Sequence, residues 1–134
     1  MRLVVDTNLM IRGLRSPGPA LQFFELAPLT HTFVFHPEQI LELRNVAARP
    51  RLNIALEAVD ALVDRIGRYG EAVESALDAP GDCRDPKDNY VLALALAGSA
   101  DVILTVDQDP LVLDPWRGIR IMRLFHFLQD RPLS

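Results

Sequence analysis

The sequence predicts an α/β fold: a parallel sheet with helices on both faces. Three features carry this expectation. Leu3-Val4-Val5, Thr32-Phe33-Val34-Phe35 and Val102-Ile103-Leu104 are short apolar runs of β-formers without polar alternation, as in strands buried on both faces. Helical stretches separate them, and strands alternating with helices imply a parallel sheet. Two of the runs end in an acid, at Asp6 and at Asp107, and the carboxyl edge of an open parallel sheet is where ligands bind.

The first strand ends in Asp6-Thr7-Asn8, after which Leu9 to Leu14 form a short helix broken by Ser16-Pro17-Gly18-Pro19. Ala20 to Ala27 reads as a second buried helix and Thr32 to Phe35 as a second strand. His36-Pro37 then opens a helix through Val46, in which Ile40, Leu43 and Val46 keep a helical period and place Glu42 beside the apolar stripe. Arg49-Pro50-Arg51 ends it. Asn53 is a candidate cap for an amphipathic helix from Ile54 to Arg68, and Glu71 to Ala76 is a weak third strand. Asp85, Pro86 and Asp88 suit the cap, first and third positions of a nearly all-apolar helix over Tyr90 to Ala97, stopped by Gly98. Asp101 to Val106 repeats the logic of the first strand. After a turn marked by Pro110 and Pro115, Gly118 to Met122 is a last strand and Leu124 to Asp130 a terminal helix.

The bulk properties agree. At 134 residues, 49% hydrophobic and 24% charged, the chain suits one globular domain spanning 1–134. No apolar run reaches membrane-spanning length and the start meets an acid too soon for a signal peptide, so the expectation is a cytoplasmic protein with no membrane partner. The single Cys83 cannot form an internal disulfide. A net charge of −4 argues against a general polyanion binder; of the 14 basic residues all but Lys87 are arginines, whose planar fork suits phosphate.

Asp6 and Asp107 follow buried strands and Asp88 opens a buried helix, so a doubly wound sheet can bring the three to one crevice, with Glu42 joining from its helix. Each has a plainer reading: Asp6 and Asp88 suit helix first turns, and Glu42 suits a solvated boundary. Carboxylates crowded together either take up protons or bind a cation, and an oxygen-only donor set fits Mg²⁺ or Mn²⁺. Such clusters serve phosphodiester chemistry without a side-chain nucleophile. The chain has no Gly-x-Ser-x-Gly elbow, no phosphate-cradling Gly-rich loop and no dinucleotide fingerprint.

Four motifs in order carry a family resemblance: Val5-Asp6-Thr7-Asn8; Pro37-Glu38 through Glu42-Leu43-Arg44 with Arg49-Pro50; Cys83-Arg84-Asp85-Pro86-Lys87-Asp88 running into Leu92-Ala93-Leu94-Ala95; and Leu104-Thr105-Val106-Asp107-Gln108-Asp109. Over nearly its full length the chain resembles the PIN-domain nucleases, specifically the VapC-like toxins of bacterial toxin–antitoxin pairs. The resemblance implies a three-layer α/β/α sandwich with a central parallel sheet, and a metal-dependent endoribonuclease leaving a 5′-phosphate and a 3′-hydroxyl. It assigns Asp6, Glu42, Asp88 and Asp107 to the catalytic quartet that binds Mg²⁺ or Mn²⁺. Asn8 and Thr105 become supporting residues, with Asp109 an extra or alternative ligand. Val106 and His36 depart from the family pattern, which more often has a small residue and Ser or Thr there. Arg12, Arg15, Arg49 and Arg84 are candidates for the RNA backbone. A cognate antitoxin and a homodimer are the implied partners, and the apolar residues of the first two helices would suit a dimer face. Two alternatives compete: a catalytically silent PIN-like module binding RNA or protein, and a small phosphatase or receiver domain. The second is disfavoured because Asn8 stands where a phosphatase needs a second Asp.

Overall fold

The computed structural model describes residues 1–77, 81–83 and 85–130. Five strands form one all-parallel sheet in the order β3-β2-β1-β4-β5: β1 Arg2–Val5, β2 Thr32–Phe35, β3 Glu71–Ala72, β4 Val102–Leu104 and β5 Arg120–Met122. Among the described residues seven α-helices accompany them: α1 Thr7–Arg15, α2 Pro19–Leu26, α3 Pro37–Ala47, α4 Leu56–Tyr69, α5 Pro86–Ala97, α6 Gln108–Leu111 and α7 Leu124–Asp130. This is the expected α/β/α sandwich.

Strand alternation sorts the core into two layers. Leu3, Val5, Phe33, Val102 and Leu104 face one side, where they pack with Leu9, Met10 and Leu14 of α1, Phe23 and Phe24 of α2, Leu43 of α3, Leu62 and Ile66 of α4, and Phe127 of α7. Val4, Val34, Ile103 and Ile121 face the other side, against Val91, Leu92, Leu94 and Ala95 of α5 and Trp116. The apolar run of α5 is therefore buried over Val91–Ala95, as its composition requires. The apolar side chains of α1 that suggested a dimer face, Leu9, Met10, Ile11 and Leu14, are mostly spent inside this core.

Two local expectations are corrected. Asn53 does not cap a helix: it takes the left-handed conformation, φ 50°, at the end of a 3₁₀ turn over Pro50–Leu52, and α4 begins at Leu56 after Ala55. Asn tolerates that region almost as well as it caps, so its presence alone does not decide between the two. The strand expected over Glu71 to Ala76 is two residues long, at the sheet edge, with one further bond from the Val73 N–H to the Phe35 carbonyl at 2.8 Å.

Because β1 lies between β2 and β4, the chain leaves β1 toward one side of the sheet and later returns on the other. The carboxyl ends of β1 and β4 thus border the point where strand order reverses, and a crevice opens there.

Candidate metal centre

Asp6 and Asp107 are delivered by the exits of β1 and β4. The Asp6 N–H continues the ladder by bonding the Leu104 carbonyl at 2.9 Å, which locks the two exits together. Asp6 also caps α1, its Oδ1 accepting the Asn8 N–H at 3.2 Å. The cap reading and the cluster reading of this residue both hold. Asp88 comes from the first turn of α5, where Asp85 caps the helix by accepting the Lys87 N–H at 3.0 Å. Asp88 is left to face the crevice.

One carboxylate oxygen from each of Asp6, Asp88 and Asp107 lies within 4.8 Å of the others, with Asp6 and Asp88 buried and Asp107 half-buried. The buried Thr105 hydroxyl links the first and last acids: it donates to Asp6 Oδ2 at 2.7 Å and accepts the Asp107 N–H at 3.0 Å. Asn8 Nδ2 donates to both Asp107 oxygens, at 3.3 and 3.1 Å. Both residues expected to support the acids therefore touch them.

The electrostatics are those of an under-neutralised cluster. Burial first, and then the neighbouring Asp107 carboxylate, push the Asp6 carboxyl up to about 8, against the opposing bonds from Thr105 and Asn8. Burial and the charges of Asp107, Asp85 and Asp109 push Asp88 up to about 6. Among the described residues no basic side chain forms a salt bridge with any of the three. Buried carboxylates held close together, with oxygen donors only, suit a hard divalent cation.

The three acids line a cleft of about 350 Å³ that also takes in Glu42, Asp109, Arg49 and Lys87. Glu42 stands exposed on its wall, outside the close group. Arg12 does not reach this cleft; it lines a separate apolar hollow between α1, α2 and α7. Arg15 is exposed at the last turn of α1, about 13 Å along the helix from Asp6. Arg84 lies outside the described residues. Among the lining residues that sequence reasoning passed over are Lys87, Tyr90 and Gln39. Lys87 precedes Asp88 and was legible only as part of that motif. Gln39 is buried on α3, where its Nε2 donates to the Val5 carbonyl at 2.7 Å and steadies the strand end that carries Asp6. Its place one helical turn before Glu42 was the available signal.

Comparison with known proteins agrees with this geometry. The family model of the PIN domain matches residues 2–109. The fold is similar to that of a chain in the crystal structure of VapBC2 from Rickettsia felis bound to a DNA fragment from their promoter. That match has a TM-score of 0.60 and 16% identity, over 90% of this chain and 97% of that one. No curated protein matches the chain in sequence. With the family model spanning well over half of its length, the chain belongs to the PIN domain family.

Proposed function

We propose that this protein is a metal-dependent endoribonuclease that hydrolyses RNA phosphodiester bonds, and that it is the toxin of a type II toxin–antitoxin pair. The observation that carries the reading is the Asp6, Asp88 and Asp107 group at the sheet's switch point, buried, mutually repelling and without a basic partner among the described residues. Retaining three such acids destabilises the fold unless a cation offsets them. PIN domain proteins are nucleases that generally use divalent metals, which agrees with this donor set.

In this reading Asp6, Asp88 and Asp107 hold Mg²⁺ or Mn²⁺, with Glu42 facing the same cleft and Asp109 as a further ligand. An ion held there would supply Lewis acidity toward a phosphate oxygen and would lower the pKa of a coordinated water. Thr105 and Asn8 hold the Asp6 and Asp107 carboxylates in fixed orientations, so that little reorganisation accompanies reaction. Arg49 and Lys87, on the cleft wall, supply the positive charge that draws an RNA phosphate toward three acids that would otherwise repel it.

The likeness to a VapBC complex supports an antitoxin as partner. A homodimer is proposed through the apolar hollow of about 470 Å³ between α1, α2 and α7, beside the exposed Phe125, and light scattering of the purified protein tests it.

The test of activity is end-labelled RNA incubated with purified protein in Mn²⁺ or Mg²⁺, against EDTA. The expected result is discrete metal-dependent fragments bearing 5′-phosphates. Folded, metal-binding protein that cuts no RNA contradicts the reading.

A further inference from the structure

Arg49 lines two cavities. One is the acidic cleft; the other, of about 500 Å³, is lined by the C-terminal end of α3, the 3₁₀ turn and the start of α4. Among the described residues Arg49 is the one side chain that lines both.

The second cavity has the mixed lining that an unpaired nucleobase needs. Ala47, Ile54 and Val59 offer apolar walls, and Leu56, 65% exposed, forms its lip. Asn53 contributes a side-chain amide that has no hydrogen-bond partner among the described residues, presented by the left-handed backbone at the end of the 3₁₀ turn. Arg44 lies on its edge, fixed across to α4 by Asp60 at 2.7 Å. An amide with two donors and one acceptor reads a base edge, while apolar and guanidinium surfaces take its face. The Arg49 guanidinium has no hydrogen-bond or ion-pair partner among the described residues, and it stands between this cavity and the place where a phosphate must sit in the acidic cleft.

We infer that the cavity between α3 and α4 is a nucleobase subsite for single-stranded RNA. It receives a base next to the scissile phosphate while Arg49 bridges to the backbone. The inference rests on the nuclease reading above and adds to it a place where a base is held. A base can enter only when unpaired, so loops and single strands are bound and continuous duplex is not. The Arg49 side chain common to both linings, and the positive charge of Arg44 and Arg49 at the rim, favour nucleic acid over an apolar peptide as occupant.

The test uses the full chain in EDTA with a short single-stranded RNA pool carrying 4-thiouridine. Photo-cross-links are mapped by mass spectrometry, and affinity is read by fluorescence anisotropy. The wild type is expected to cross-link within residues 44–59. Ala48→Trp, which fills the cavity from its exposed rim, and Leu56→Glu, which sets a carboxylate at its lip, are each expected to lose that cross-link. Each should also weaken RNA binding by about tenfold or more, the scale of losing one stacked base. Their Mn²⁺ affinity by calorimetry should equal that of the wild type, since neither residue lines the acidic cleft. Both positions are exposed, and circular dichroism of the two variants guards against a misfolded one. If both folded variants bind and cross-link as the wild type does, the subsite is overturned, the nuclease reading stands, and the cavity is left to a protein partner. If the wild type neither binds nor cuts RNA, the nuclease reading fails and takes the subsite with it.

Discussion

Asp6 is held in two competing ways, since Thr105 and Asn8 favour its carboxylate while burial and Asp107 favour its acid. Its folded-state value of about 8 lies far above the ordinary 3.8, so the folded protein keeps a proton that the unfolded chain has already lost. Stability from this group is therefore fully present below about pH 4 and is lost as pH rises toward 8. Asp88, at about 6, acts in the same direction over a narrower window. The metal-free protein is accordingly expected to melt several degrees lower at pH 8 than at pH 5, with Asp6→Asn flattening that dependence and Mn²⁺ restoring stability at pH 8. Calorimetric melting of both proteins, with and without the ion, checks this. A wild type that gains stability from pH 5 to pH 8 would contradict it. At this scale the sequence was informative about Asp6, Asp88 and Asp107, because an acid at a strand end or a helix opening is visible in one dimension. Arg49 could be named as a cation but not placed between two cavities, which depends on how the 3₁₀ turn after α3 folds back.

Elements fix how firmly those residues are presented. Asn89, one residue past Asp88, accepts the Cys83 N–H at 2.8 Å and donates to the Cys83 carbonyl at 3.0 Å, tying the loop before α5 to the helix. Asn89→Ala leaves both buried backbone groups unpaired, at about 1–3 kcal/mol apiece, and is expected to lower both the melting temperature and the metal affinity, since Asp88 sits in the same turn. At the other end of α5, a side chain on Gly98 would run into Val34 of β2. Gly98→Ala is therefore expected to destabilise by about 1–3 kcal/mol in chemical denaturation without altering the metal site directly. Element types and order followed from apolar runs and caps: Thr32–Phe35 and Leu124–Asp130 match residue for residue. What failed did so for local reasons. Asn53 suits two backbone roles, and β3 is an edge strand that pairs with only the last two residues of β2, Val34 and Phe35.

For the whole molecule, the decisive fact is the strand order. Placing β1 beside β4 brings residues about a hundred positions apart to one crevice, as the Thr105 to Asp6 bond shows. Alternating strands and helices announce a parallel sheet, but they leave the strand order open, and that order is seen only in the folded chain. The same order leaves α3 bordering the crevice, which puts Glu42 and Gln39 on its wall and the proposed base cavity just beyond. Charge is arranged on this scale too: a chain of net charge −4 that binds RNA must do so through local cations, and the described ones on the cleft are Arg49 and Lys87. Arg49→Ala is thus expected to weaken RNA binding and reduce its salt dependence, read by anisotropy against ionic strength, while Arg15→Ala leaves both near wild type.

In the proposed function, Asp6, Asp88 and Asp107 hold the ion on which RNA cleavage depends. The most direct test of that role is the rate of RNA cleavage in Mn²⁺ by the wild type and by Asp6→Asn, Asp88→Asn and Asp107→Asn, each shown folded and each titrated with the ion. Metal-dependent cleavage is expected from the wild type and, in every variant, loss of ion affinity together with a fall in rate on the order of a hundredfold or more. A folded variant that no longer binds the ion and still cuts RNA at the wild-type rate would contradict it.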